Sequence, residues 1–212
     1  SGGEWGGSSK GVFAVDPFKS ADDAELATML PSLGQWDTEN AIALGKDAYA
    51  DKTIIVIGDD KSDNTTPKGQ LAMYVGNRGD LAGGSLYGLK VTQSGIDYEM
   101  DMQEGVTYPV EFVQYTERTL NELEQESRDK GIMGFSRVED IDYRKGSASA
   151  NREIYFTVTG RKKTALTGKG TFYGRIYKVV LDANNPTIAT ITCVLDGDKL
   201  TGVAKQFHSP DN

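Results

Sequence analysis

The strongest constraint on the fold is an internal repeat. The stretches Gln35–Asn40, Phe135–Asp140 and Phe207–Asn212 read Gln-Trp-Asp-Thr-Glu-Asn, Phe-Ser-Arg-Val-Glu-Asp and Phe-His-Ser-Pro-Asp-Asn, and each ends in an acid followed by an amide or a second acid. After the first two comes a β-type run ending in glycine (Thr53–Gly58 and Glu153–Gly160), a short loop, and a glycine-led second run (Gly69–Val75 and Gly174–Val180). A repeated strand unit with a carboxylate at one fixed point predicts radial repetition about a centre, as in the blades of a β-propeller. In that geometry the acids converge, and converging oxygen ligands suit a hard cation such as calcium. The third copy stops at the last residue, so the 212 residues are expected to form a single β-propeller-like domain that is an incomplete portion of a larger propeller.

Composition narrows the partners. Twenty-five glycines against six prolines fit short strands joined by tight turns. A formal charge of −8 argues against nucleic acid or an anionic membrane, both of which call for basic surface. No apolar run approaches the roughly 18 residues of a membrane-spanning helix. No charged-then-apolar leader opens the chain either, so any export signal is expected upstream or removed. The single cysteine, Cys193, lies in the strand-like run Thr190–Leu195 and reads as a small buried hydrophobe.

Along the chain, Gly11–Pro17 reads as a strand stopped by Asp-Pro, and residues 20–33 as an ordered loop or one helical turn. Strands are expected near 40–45, 53–58, 69–75, 85–91, 106–114, 141–145, 153–159, 171–182 and 187–195. Between them the β rhythm breaks. Thr119 and Glu122 have capping-box spacing, Lys130 falls in a last turn and Gly131 suits a C′ position, which predicts a short surface helix near 117–130. The acids Glu39, Glu139 and Asp211 recur 100 and then 72 positions apart. With the helix as an insertion, both intervals fit blades of about four strands; a β-sandwich is the alternative.

Carboxylates dominate the candidate chemistry. The one histidine, His208, lies inside the third motif, and no zinc-type histidine or cysteine cluster, nucleophile elbow or phosphate-binding glycine loop is present. Glu39, Glu139 and Asp211 are the first metal-ligand candidates, with Asn40, Asp140 and Asn212 as neighbours able to orient them; the plain alternative is that acids before strands are turn residues. Asp60, just past an apolar strand, is a further candidate ligand, whereas Asp63 reads as part of a solvated loop. Arg137 either grips a phosphate bidentately or pairs with Glu139. The Arg161–Lys163 cluster, the Arg78-Gly79-Asp80 tripeptide and the Asn64-Thr65-Thr66 sequon carry ordinary surface readings as well as functional ones.

The segments Leu33–Ala41, Thr66–Gly76, Gly84–Val91, Phe135–Asp140, Ile154–Gly160 and Ser209–Asn212 resemble, in order, segments of PhoX-type alkaline phosphatases. The resemblance implies a bacterial protein, secreted or periplasmic, whose β-propeller carries calcium and iron at its centre and hydrolyses small phosphate monoesters. On that pattern Glu39 and Glu139 are metal ligands, and Asp60 and Asp211 are further metal positions; Arg137, on its phosphate-gripping reading, is the catalytic candidate. Two departures stand out. The family's iron-ligating cysteine belongs to a segment upstream of residue 1, and Cys193 does not match it. The segments that follow Pro-Asp-Asn are also missing. The remainder of the same protein, or another chain, is then expected to complete the centre. The alternative reading is a non-enzymatic, calcium-stabilised extracellular structural or adhesion protein.

Overall fold

Lys52–Asp59 and Leu71–Asn77 are nearly continuous runs of apolar and small residues, and such runs fold as strands buried on both faces. A computed structural model describes residues 2–3, 10–20, 23, 28–61 and 63–204. Three short strands, β1 (Gly2–Gly3), β2 (Gly11–Ala14) and β3 (Thr28–Met29), make a small antiparallel sheet. The remaining strands are β4 (Thr38–Ala43), β5 (Lys52–Asp59), β6 (Leu71–Asn77), β7 (Ser85–Val91), β8 (Thr107–Gln114), β9 (Val138–Tyr143), β10 (Glu153–Val158), β11 (Arg175–Leu181) and β12 (Ile188–Asp196). They form one nine-stranded antiparallel sheet in the order β4-β5-β6-β7-β8-β12-β11-β10-β9.

That order contains the repeat. The meanders β4–β7 and β9–β12 each start at a strand bearing one of the repeated acids, and β8 joins their last strands, β7 and β12. The leading strands β4 and β9 lie side by side, so the sheet curls until it is nearly a barrel. The main core fills the space between the meanders. Val56, Leu71, Met73 and Leu89 from the first meet Phe156, Tyr177, Val179 and Ile191 from the second. Phe135, Phe156 and Tyr177 pack ring on ring there, with centroids 5.1–5.2 Å apart.

The two meanders differ on their outer faces. A second core of Leu33, Trp36, Ile55, Ile57, Tyr74, Tyr115 and Leu123 covers the first meander, which is why β5 and β6 are buried on both sides. Strands β10 and β11 instead alternate buried with half-buried residues, the pattern of a sheet with one open face. The all-β expectation with repeated strand units and one surface helix therefore holds. Among the described residues no helix is long and apolar enough to cross a membrane.

The surface helix, α1, spans Leu120–Lys130 and ends at Gly131 in the left-handed region (φ 66°, ψ 38°). Its capping box does not form. The Thr119 hydroxyl donates to the Glu122 carboxylate (2.5 Å) rather than accepting a backbone N–H. Leu123 is its one buried apolar residue, and the Ser127 hydroxyl meets the Tyr115 hydroxyl at 2.7 Å beneath it. A second helix, α2 (Ala148–Asn151), is a single turn that the sequence pattern did not signal. Within 20–33 the described helical turn is the short 3-10 segment Pro31–Leu33. The strand expected from 171 starts only at Arg175, because Thr171 and Phe172 are bound by the Asp198 carboxylate in a turn.

Candidate metal centre

The acids of the first two motif copies sit inside their strands, as the second residues of β4 and β9, and not in the turns before them. Both occupy the same backbone irregularity. Thr38 pairs with Asp59 and Ala41 with Ile57, so Glu39 and Asn40 together face Gly58. Val138 pairs with Val158 and Ile141 with Phe156, so Glu139 and Asp140 together face Thr157. Two residues opposite one is a β-bulge, which bends the strand and re-aims its side chains. In the second copy the Thr157 hydroxyl accepts the Asp140 N–H (3.1 Å), satisfying a donor displaced from the ladder. Across the copies the Asn40 amide donates to the Asp140 carboxylate at 3.4 Å.

Glycine lets the leading strands approach. A Cβ on Gly58 would lie 3.1 Å from the Glu139 carbonyl oxygen, and one on Gly69 would lie 2.7 Å from the Asp59 carbonyl oxygen and 3.0 Å from that of Phe135. Gly69 and Phe135 exchange backbone hydrogen bonds of 2.9 and 2.8 Å, which ties the second motif to the start of β6. This approach brings Glu139 to Asp60, the residue immediately after β5.

Glu39, Asp60 and Glu139 each offer a carboxylate oxygen within 4.8 Å of the others. Glu39 is exposed, the Asp60 side chain is 10% exposed and that of Glu139 only 2%. Arg137 enters the same group. Its Nε and one terminal nitrogen donate to the two Asp60 oxygens at 2.9 and 3.1 Å, and a terminal nitrogen stands 2.6 Å from Glu139 Oε1. The pairing with Glu139 is one of the two readings the sequence allowed for Arg137, and the bidentate grip on Asp60 is additional. Arg137 is also the one non-glycine residue with positive φ (74°) among those described. Such a conformation in a non-glycine residue costs of order 1 kcal/mol or more and concentrates at functional sites.

The donor set fits a hard divalent cation. Calcium binds oxygens at 2.3–2.6 Å, so two ligands of one ion lie no more than about 5 Å apart. Three carboxylates against one guanidinium leave two negative charges, which one divalent ion balances. Iron fits less well. Cys193 lies in the core between the meanders, its thiol is pushed up to about 12 by burial, and it donates to the Leu195 carbonyl (3.4 Å). The acidic group contains no sulfur ligand.

The other sequence candidates fall elsewhere. Asp211 and His208 lie outside the described residues. Asp63 caps its own loop, accepting from the Thr65 N–H and hydroxyl (2.7 and 2.6 Å) and pairing with Lys68 (2.7 Å), with its carboxyl held below the usual range by Lys68 first and Thr65 next. Arg161 donates to the side-chain oxygen Oδ1 of Asn64 at 2.9 and 3.2 Å. Arg78 donates to the Ala50 carbonyl (2.8 Å), and Asp80 accepts from the N–H groups of Ala82 (2.8 Å) and Gly83 (2.9 Å).

Two features had no sequence signal. Beside the triad, Asp59 is fully buried and accepts the Asp37 N–H (3.0 Å); burial holds its carboxyl well above the ordinary range. Asp37 pairs in turn with Lys10 and, at 3.3 Å, with Lys61, which also reaches Glu124 at 3.1 Å. Behind Arg137 lies the buried carboxylate of Glu99, which accepts the N–H groups of Ser136 (2.9 Å) and Thr171 (3.0 Å). Compared with protein-family models, with curated proteins and with solved structures, the chain finds no match in any of the three.

Proposed function

We propose that the chain forms part of the centre of a calcium-dependent phosphoric monoester hydrolase of the PhoX type, working outside the bacterial cytoplasm. The observation that carries the reading is the convergence of Glu39, Asp60 and Glu139 within 4.8 Å, with the Arg137 guanidinium among them. Glu39, Asp60 and Glu139 hold the ion. Bound there, calcium would neutralise a phosphate and stabilise the charge that develops during in-line displacement. Arg137 now satisfies Asp60 and Glu139 in the place a cation would take. Released from them, its planar fork matches two oxygens of a small phosphate ester. Three carboxylates fall short of the six to eight oxygens calcium takes. Water, the segment bearing Asp211, or another part of the protein or a second chain supplies the rest.

One observation favours a second reading. Asp60 belongs to the first meander and Arg137 and Glu139 to the second, so their ion pairs cross-link the two units without any metal. That suits a non-enzymatic, calcium-stabilised extracellular protein. The deciding experiment measures hydrolysis of a chromogenic phosphate monoester and calcium binding by calorimetry in the full-length protein, wild type and Glu139→Gln, the 212 residues alone being expected to turn over no ester. Calcium binding and turnover that both vanish in the variant support the hydrolase. Calcium binding without turnover supports the structural reading, and no calcium binding refutes both.

A further inference from the structure

We propose that Glu99 is a positioning residue: through the Ser136 amide it sets where the Arg137 guanidinium stands among the three carboxylates. The inference deepens the metal-centre reading and rests on it for its functional meaning. Glu99 lies in the 3-10 turn Glu99–Asp101 and is fully buried. Its Oε1 accepts from both Ser136 and Thr171, and its Oε2 lies 3.4 Å from the Tyr177 hydroxyl. The turn itself is pinned by Arg175, which donates to the carbonyls of Glu99 (2.5 Å) and Met102 (3.1 Å) and pairs with Asp196 at 2.7 Å.

Ser136 directly precedes Arg137, and that short segment is held on all sides. The Ser136 carbonyl accepts from Gly160 (3.0 Å) and the Arg137 carbonyl from Thr159 (3.1 Å), while the Arg137 N–H turns back to Phe135 (3.1 Å). Of these restraints only Glu99 is ionisable. A Cβ on Gly170 would stand 2.1 Å from the Ser136 hydroxyl oxygen and 3.3 Å from Glu99 Oε1, so the pocket closes tightly around the contact. The positive φ of Arg137 needs such surroundings, because an unfavoured backbone conformation persists only where neighbours determine it.

The restraint changes with pH. Burial raises the Glu99 carboxyl to about 7, although the bonds from Ser136 and Thr171 and the charge of Arg175 pull it back. A hydrogen bond to a carboxylate is roughly twice as strong as one to a neutral oxygen. Protonation therefore slackens the hold on Ser136. Of the other groups facing Glu99, Tyr177, Cys193 and Arg175 keep their protons near neutrality. Burial holds the Tyr177 phenol well above 10 and the Cys193 thiol at about 12, and Arg175 stays charged. Asp196 is ion-paired to Arg175, Asp198 is bound to Thr171 and Phe172, and Asp101 accepts the N–H groups of Asp97 and Tyr98. Glu104 accepts the Asp196 N–H and pairs with Lys199.

The test uses the whole chain with 15N-labelled arginine, the Arg137 Nε–H signal being assigned by its loss in Arg137→Lys. In wild type without added cation that signal is expected to shift sigmoidally with a midpoint near pH 7, and Glu99→Gln is expected to remove the step. A flat Arg137 signal across about pH 6–8 in wild type, or a step that persists in Glu99→Gln, overturns the proposal. Should the variant fail to fold, the 13C carboxyl signal of Glu99 in wild type decides: it is expected to titrate with the same midpoint as the Arg137 signal, and an Arg137 step that instead follows the buried Asp59 carboxyl overturns the proposal. Adding calcium is a separate arm. If calcium leaves the Arg137 signal unmoved while the Glu99 step is present, the metal reading fails and the positioning role stands.

Discussion

Replacing Arg137 with glutamine tests whether the guanidinium stands in for a cation. The side chain makes three charge-assisted contacts, at 2.9 and 3.1 Å to Asp60 and 2.6 Å to Glu139. At an effective dielectric of about 20, each charge pair about 4 Å apart is worth about 4 kcal/mol before solvation is counted. Arg137 is 29% exposed, so solvent screens part of that; Glu139 at 2% is not so helped and would be left a buried charge without its partner. The net loss is then about 2–4 kcal/mol. For a chain of this size each kcal/mol moves the melting temperature by about 2–4 °C, which predicts a fall of about 5–15 °C in excess chelator. Calcium should reverse most of it. With no guanidinium to displace, the carboxylates bind the ion more readily, and an ion present at 100 times its Kd stabilises the fold by about 2.7 kcal/mol. Differential scanning calorimetry of both proteins, with chelator and with millimolar calcium, gives the four melting temperatures required. The same fall in both solutions would refute the reasoning, because Arg137 would then act through packing alone.

Other outcomes follow from the same geometry. Chelator should lower the wild-type melting temperature, and Glu139→Gln should abolish that response, since a neutral amide binds a hard cation far more weakly than a carboxylate. Gly69→Ala should destabilise the fold and weaken calcium binding together, because its Cβ meets the backbone oxygens of Asp59 and Phe135 at 2.7 and 3.0 Å; calorimetric stability with unchanged calcium affinity would contradict this. Glu99 has a raised carboxyl in the folded state, so the folded chain holds the proton more tightly than the unfolded one. Its contribution to stability should fall as pH rises from about 4.5 to about 7 and level off above, visible as a narrowing melting-temperature advantage over Glu99→Gln. Cys193, buried with its thiol at about 12, should resist alkylation at pH 8 until denaturant is added, as thiol labelling followed by mass spectrometry would report.

The strands were legible because Thr53–Gly58 and Leu71–Val75 are apolar runs bounded by glycine, and the surface helix because Gly131 marks its end. Glu39, Glu139 and Asp60 were legible for a related reason: each stands at a fixed point relative to such a run. What escaped depends on partners distant in sequence. The capping box at Thr119 failed because its hydroxyl donates to Glu122, a choice the spacing does not reveal. Glu99 stands among Asp97, Asp101 and Glu104 with nothing in the sequence to single it out, and its partners Ser136, Thr171 and Tyr177 lie 37, 72 and 78 residues away. Strand β8 is apolar and was expected, yet its place between β7 and β12 follows from pairings with Ile188–Thr192 that only the folded chain supplies.

The repeat itself has a backbone meaning that side-chain comparison alone does not carry. In a regular strand Glu39 and Asn40, or Glu139 and Asp140, would point to opposite faces of the sheet. Placing the pair at a bulge breaks that alternation at one point in each leading strand. Because β4 and β9 lie side by side, the two breaks coincide in space, as the Asn40–Asp140 contact records. The acid of each copy is thereby turned toward Asp60 and Arg137 without disturbing the buried alternation further along, where Ile141 and Ile154 continue the core. A cation site built this way needs two copies of one local irregularity and a glycine opposite or beside them to let the strands close. The sequence repeats the irregularity, in the acid followed by an amide or acid, and supplies the closeness at Gly58 and Gly69.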